Sequence, residues 1–97
     1  MRIIAKGTLR DFWGKHPTAV LPLQVWYKET SEADWKTPND VKARHGNASI
    51  VGSNRVVFNI KGNDFRLIAA INYATDIVYI RFIGTHKEYD RIDATTI

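Results

Sequence analysis

Residues 56–72 read Val56-Val57-Phe58-Asn59-Ile60-Lys61-Gly62-Asn63-Asp64-Phe65-Arg66-Leu67-Ile68-Ala69-Ala70-Ile71-Asn72, and their alternation decides the architecture. Val56, Phe58 and Ile60 alternate with Val57, Asn59 and Lys61. Beyond Gly62-Asn63, Phe65, Leu67, Ala69 and Ile71 alternate with Arg66, Ile68, Ala70 and Asn72. A period of two places successive side chains on opposite faces of a strand, so both runs read as strands with one face on a core. A two-residue loop with glycine first fits a type II′ hairpin turn. Closing the hairpin there pairs Lys61 with Asp64, Ile60 with Phe65, Asn59 with Arg66 and Phe58 with Leu67. Apolar residues then meet apolar ones on one face and polar meet polar on the other, which fixes the register.

Downstream, a turn at Ala74-Thr75-Asp76 leads into a third strand from Ile77 to about Thr85. Val78, Ile80 and Phe82 are expected on its core face, with Ile77, Tyr79, Arg81 and Ile83 on the other. The segment His86-Lys87-Glu88-Tyr89-Asp90-Arg91-Ile92 reads as one short helical turn. Upstream, the chain is helical. Arg2-Ile3-Ile4 is a β-branched run suited to a short strand. Thr8 is a candidate cap, with Asp11 three residues on, for a helix that carries Leu9, Phe12 and Trp13 and stops at Gly14 and Pro17. A second helix is expected from about Thr18 to Thr30. Its two sides, Leu21-Val25-Lys28 and Leu23-Trp26-Tyr27-Thr30, give a broad apolar face that predicts packing against two elements. Thr37-Pro38-Asn39-Asp40 is a helix start, with a cap, a proline in the first position and an acid in the first turn. That helix is expected to end near His45-Gly46-Asn47. The order predicts an α+β fold: a short N-terminal strand and two to three helices on one face of an antiparallel sheet.

The chain has 97 residues, so residues 1–97 are read as a single domain. Its 44% hydrophobic and 25% charged residues exclude a disordered or low-complexity molecule. No apolar run approaches the roughly 20 residues of a membrane span, and the start, Met1-Arg2-Ile3-Ile4-Ala5-Lys6, has no secretory pattern. Cysteine is absent, which removes disulfides, cysteine–zinc sites and thiol chemistry and fits a cytoplasmic location. Fourteen Lys and Arg against ten Asp and Glu give a net charge of +4, a weak pointer to a polyanion partner.

The alternation puts Asn59, Lys61, Arg66 and Arg81 on the sheet face away from the helices, with His86, Lys87 and Tyr89 following at the end of the last strand. Cations, one imidazole and one phenol around a groove suit a phosphodiester. Guanidinium groups hold non-bridging oxygens and stabilise charge that grows in the transition state. An imidazole with an unperturbed pKa of about 6.5 moves protons at neutral pH. With RNA, the ribose 2′-hydroxyl can attack its own phosphate, so no metal or other cofactor is required. The same residues have plainer readings. Arg66 and Arg81 read equally well as solvated charges on an open face, and Lys61 more simply pairs with Asp64. His86 could bond a backbone carbonyl, Tyr89 could be a half-buried aromatic, and Asn63 belongs to its turn. His16 and His45 read as surface residues, and Trp13, Trp26 and Trp35 as core or partner-facing rather than base-stacking.

Two stretches carry a resemblance to a known family. Residues Val51–Leu67, with the pattern N-x-x-G-N-x-x-R, and residues Arg81–Asp93, with T-H-K-E-Y-D, resemble the HigB toxins of the RelE-like superfamily of bacterial toxin–antitoxin modules. The resemblance extends upstream through Thr37-Pro38-Asn39-Asp40-Val41-Lys42. It implies a RelE-like fold and metal-independent cleavage of messenger RNA, typically on the ribosome, by 2′-hydroxyl attack. It also implies a HigA-type helix-turn-helix antitoxin as partner. By position, Arg66 matches the sheet arginine that contacts the scissile phosphate in relatives. His86 and Tyr89 fall where relatives keep acid, base or stacking residues, with Lys87 beside them; Lys61, Arg81 and Asn59 would contact RNA. The carboxylate that would assist His86 stays open between Glu88 and Asp90. Two other readings remain: a gyrase-directed toxin of the ParE type, and a non-catalytic RNA- or ribosome-binding module.

Overall fold

The hairpin at residues 56–72 is the centre of a five-stranded sheet in the computed structural model, which describes every residue from Met1 to Ile97. Strands β3 (Arg55–Ile60) and β4 (Phe65–Asn72) pair antiparallel, with Ile60 opposite Phe65, Asn59 opposite Arg66 and Phe58 opposite Leu67, the register that the polar and apolar alternation predicts. Gly62 takes a positive φ of 63°, but the ladder ends at Ile60–Phe65, so Lys61 to Asp64 form a four-residue connection rather than the expected two-residue type II′ loop. Lys61 before it is also left-handed, at φ 51°, which the sequence did not signal.

The sheet is larger and more mixed than an antiparallel meander. Strand β1 (Arg2–Ile4) lies at one edge, parallel to β5 (Ile77–Thr85), and β2 (Ser49–Val51) forms a short strand at the other, pairing with β3. The order is β1-β5-β4-β3-β2. Helices α1 (Lys6–Lys15), α2 (Val20–Glu32) and α3 (Pro38–Arg44) contribute to the core on one side of the sheet, with a 3-10 turn at Pro17–Ala19 joining the first two. Leu9 and Phe12 of α1, Leu23 and Trp26 of α2 and Val41 of α3 bury against Val56, Phe58, Ile60, Leu67, Ala69, Ile71, Val78 and Ile80. Burial of this apolar set is the main force that holds helices to sheet.

Three helical expectations change. Helix α1 starts two residues before Thr8, because Ala5 reverses the chain after β1 in a left-handed conformation (φ 78°) and the helix begins at once; neither Thr8 nor Asp11 caps it. Helix α2 buries one side only: Leu23, Trp26 and Thr30 face the core, while Leu21 and Val25 are exposed because no other element reaches them. His45 is not a surface residue. It packs between Trp35 and Phe58, and its Nε2 is buried without a hydrogen-bond partner. Burial pushes its pKa down. His16 is likewise half-buried, stacked on Phe12 with ring centroids 4.3 Å apart. Thr37 caps α3 as expected, and Asp40, expected only as a first-turn acid, completes a capping box, each side chain satisfying the other's backbone N–H.

The largest correction concerns β5. Val78 and Ile80 face the helices, but a β-bulge interrupts the ladder: Ala69 pairs with Ile80 and Ile68 with Phe82, leaving Arg81 unpaired. One extra residue reverses the alternation beyond it. Ile83 therefore joins the core, whereas Phe82 and Gly84 turn to the opposite face. That face is not open along its length. Val57 and Ile68 on it are 3% and 0% exposed, and the chain returns to this face at Ile97. Arg55 donates to the main-chain oxygen of Ile97 at 2.8 and 3.2 Å, and Arg81 to the same oxygen at 3.4 Å.

Candidate active site

The free part of the second face is the end near the hairpin turn, where the final helical turn α4 (His86–Tyr89) leaves β5. Two features fix that junction. Thr85 and Glu88 form a capping box: the Thr85 N–H donates to Glu88 Oε1 at 2.9 Å, and the Glu88 N–H donates to Thr85 Oγ1 at 3.2 Å. These bonds from Thr85 hold the Glu88 carboxyl below its ordinary pKa. The His86 N–H then donates to the Asp64 carbonyl at 3.2 Å, tying α4 to the hairpin turn.

Arg66 lies on β4 directly opposite Gly84. Its side chain is buried beside the turn, and Nη1 donates to the carbonyls of Asn63 (3.1 Å) and Phe65 (3.3 Å). No carboxylate pairs with it, and Nε and Nη2 have no partner within the protein. Its guanidinium carbon is 5.9 Å from the centroid of the Tyr89 ring. A buried guanidinium compensated only by carbonyl dipoles is costly to desolvate, and the free side of its fork favours an incoming anion. Gly84 belongs to the same geometry. A Cβ there would fall 2.5 Å from the Phe82 ring, so that position admits no side chain without moving the ring.

His86 is exposed on α4, and its Nδ1 is 3.3 Å from Asp90 Oδ2 one helical turn away. The carboxylate beside the imidazole is thus Asp90, since Glu88 is occupied by the cap. The spacing His86-x-x-x-Asp90 was visible in the sequence once the segment was read as helical.

The structure brings Arg66, Tyr89, His86 and Asp90 to one end of the sheet and leaves other candidates apart. Lys61 Nζ pairs with Asp64 at 3.0 Å. Arg81 sits at the bulge and is held by Ile97, with Arg55, rather than by the Arg66 group. Asn59 faces Arg66 across the hairpin and also borders a cleft of about 500 Å³ between α2 and the edge of β3, together with Lys61, Trp26 and His45. Lys87 is exposed and free of ion pairs. Trp26 and Trp35 are core residues, as expected, at 3% and 4% exposure.

The chain is similar to known proteins over most of its length. Residues 19–92 match the family described as HigB_toxin, RelE-like toxic component of a toxin–antitoxin system. Over 94 residues the chain is 30% identical to the mRNA interferase HigB of Escherichia coli O6:H1 strain CFT073, covering 95% of this chain and 91% of that protein. It is 29% identical over 92 residues to the mRNA interferase toxin HigB of Escherichia coli K12 and to the mRNA interferase HigB of Shigella flexneri, covering 93% of this chain and 88% of each. With a five-stranded mixed sheet carrying helices on one face and a family match that spans most of its length, the chain belongs to the HigB toxin family, the RelE-like toxic components of toxin–antitoxin systems.

Proposed function

We propose that this toxin is an mRNA endoribonuclease, an mRNA interferase, whose reacting phosphodiester is held at the Arg66–Tyr89–His86 end of the sheet. The observation that carries the reading is the buried Arg66 guanidinium, which has two carbonyl partners, no counter-ion and an unengaged side. A phosphate placed there receives a charge-assisted fork of hydrogen bonds, and these strengthen as the phosphorus becomes pentacoordinate and its equatorial oxygens gain charge.

The nucleophile is internal. The 2′-hydroxyl oxygen attacks the adjacent phosphorus, the bond to the 5′-oxygen breaks, and the products are a 2′,3′-cyclic phosphate and a 5′-hydroxyl end. A proton must leave the 2′-oxygen and another must reach the departing 5′-oxygen. Asp90 beside Nδ1 favours the imidazole tautomer with its proton on Nδ1, which turns Nε2 into an acceptor for the 2′-proton. The Tyr89 ring, against the Arg66 guanidinium, orients a neighbouring base or the leaving oxygen. Lys87, exposed on α4 and free of ion pairs, acts as an RNA contact beside this centre, with Asn59 opposite Arg66 across the hairpin. The partners are messenger RNA, the ribosome that presents it and a HigA-type helix-turn-helix antitoxin, all in the cytoplasm. No helix is long and apolar enough to cross a membrane.

The test is brief induction without antitoxin, with new RNA ends mapped in the wild type and in an Arg66→Ala, His86→Ala double variant. New ends in translated messages that disappear in the folded double variant are expected. Growth arrest with intact messages would overturn the reading in favour of another target.

A further inference from the structure

Helices α1 and α2 enclose a second cleft, of about 400 Å³, lined by Lys6, Arg10, Trp13, Gln24 and Tyr27. It shares no residue with the site described above. Lys6, Arg10 and Trp13 recur at i, i+4 and i+7 and so stand on one flank of α1. Thr8, Asp11 and Lys15 occupy the opposite flank and border Glu88. Neither cation in the cleft has an anionic partner, and no carboxylate lines it. Lys6 Nζ instead lies 4.5 Å from the centroid of the Tyr27 ring, which keeps the ammonium at the cleft. Like charges one turn apart on a helix disfavour it unless an anion lies between them. The rest of the lining is two aromatic rings and one amide, with no aliphatic side chain.

We propose that this cleft binds one nucleotide unit of single-stranded RNA, with a phosphate on Lys6 and Arg10 and the base stacked against Trp13 and Tyr27 beside the Gln24 amide. The inference deepens the reading of the chain as an RNA-cleaving toxin and rests on RNA being its target. Cations that track a backbone, together with aromatic planes that take any base, are the working parts of sequence-tolerant single-strand binding. The cavity volume suits a single small unit rather than a protein surface. An acidic protein segment would use the two cations and leave the aromatic planes without a role.

Tryptophan fluorescence reads this cleft selectively, because Trp26 and Trp35 are buried and Trp13 is the indole that lines it. The full chain is titrated with a short 2′-O-methyl oligoadenylate, which cannot be cut by 2′-hydroxyl attack. The expected result is quenching in the wild type and equally in Arg66→Ala, with the quench lost in Trp13→Phe. In Lys6→Glu, Arg10→Glu, binding weakens at least about tenfold, and the salt slope falls by about 0.7, the value for one phosphate contact on a single strand. Lys15→Glu, the same charge change on the far flank of the same helix, has a much smaller effect than Arg10→Glu. Equal effects of Lys15→Glu and Arg10→Glu, or unchanged emission with bound oligonucleotide, would overturn the assignment. So would a Lys6→Glu, Arg10→Glu protein that binds RNA normally but is no longer neutralised by its antitoxin, which would give the cleft to a protein partner. Message cleavage is measured in parallel: a wild type that cuts nothing yet shows the quench removes the nuclease reading and supports the cleft.

Discussion

The guanidinium of Arg66 faces the ring of Tyr89 at 5.9 Å, so a strand residue and a residue of the last helical turn form one wall of the candidate site. The contact depends on three things: Arg66 is buried against the hairpin carbonyls, Gly84 opposite it has no side chain, and the Thr85–Glu88 cap starts α4 at a fixed point.

If Arg66 holds the scissile phosphate, charge alone should not replace it. Arg66→Ala is expected to lower message cleavage by about 10²–10³-fold, the usual cost of one transition-state donor. Arg66→Lys should recover little, since an ammonium lacks the planar fork that meets both carbonyls and phosphate. Cleavage of a defined message in a translation extract, with circular dichroism as the fold control, measures both. Near-wild-type rates in the lysine variant would remove the fork from the mechanism.

His86 and Asp90 should behave as a unit. His86→Ala is expected to cost about 10²–10⁴-fold in rate, and Asp90→Asn less, because the imidazole remains. Combined with His86→Ala, the Asp90 change should add almost nothing, because its only route to the reaction is through the ring. Fully multiplicative losses in the same assay would assign Asp90 an independent role.

The cap that starts α4 is a thermodynamic element in its own right. Thr85→Ala should destabilise the protein by about 1 kcal/mol in urea unfolding, as loss of an N-cap does. The Glu88 carboxyl is held below its ordinary pKa, so the folded state releases this proton more readily than the unfolded state. The associated stability is present above the ordinary carboxylate range and is lost as pH falls through the lowered pKa. Glu88→Gln should therefore flatten the acid limb of a stability–pH curve, and an unchanged limb would rule the cap out as its source.

His45 gives the opposite kind of group the same direction of pH dependence. Burial lowers its pKa, so near and below its ordinary value the unfolded chain binds more protons than the folded one. Stability should rise with pH through the window that ends near the ordinary histidine pKa of about 6.5. His45→Gln should remove that slope in urea midpoints measured between pH 5 and 8. A slope of the same size in the variant would place it elsewhere.

Gly84→Ala tests the close approach of the Phe82 ring. The added methyl forces the ring to move, with an expected loss of about 1–3 kcal/mol for overpacking, read from thermal or urea unfolding. Phe82→Leu in the same background should relieve part of that loss, and a Gly84→Ala protein of full stability would show that the ring moves freely.

How much of this was legible follows from how local each signal is. The hairpin register could be read because each residue and its partner lie within one alternating run. The Thr37 helix cap was legible for the same reason. The bulge was not, because Ile77-Val78-Tyr79-Ile80-Arg81-Phe82-Ile83 is apolar on both parities and carries no mark of where the phase changes. Arg66 read as an exposed charge because alternation reports which face a residue takes, while its burial goes with the hairpin carbonyls and the Tyr89 ring beside it. The family resemblance located Arg66, His86 and Tyr89 in the chain; only the fold shows that Asp90 stands by the imidazole and that Arg81 belongs with Arg55.

The unpaired Arg81 makes β5 a strand of two phases, and sequence length there becomes a structural variable. Removing Arg81 would restore simple alternation and leave Ile83 opposite Leu67 on the core face, because the bulge already holds the extra residue outside the ladder. Gly84 would stay opposite Arg66, and Thr85 would keep its place as the cap of α4. A one-residue deletion at the bulge is therefore silent for the site, whereas the same deletion between Phe82 and Thr85 shifts the residue opposite Arg66 and changes the site geometry. Among homologous chains, the spacing between the hairpin arginine and the T-H-K-E-Y-D segment should tolerate the loss of one residue at the bulge far better than the loss of one beyond it.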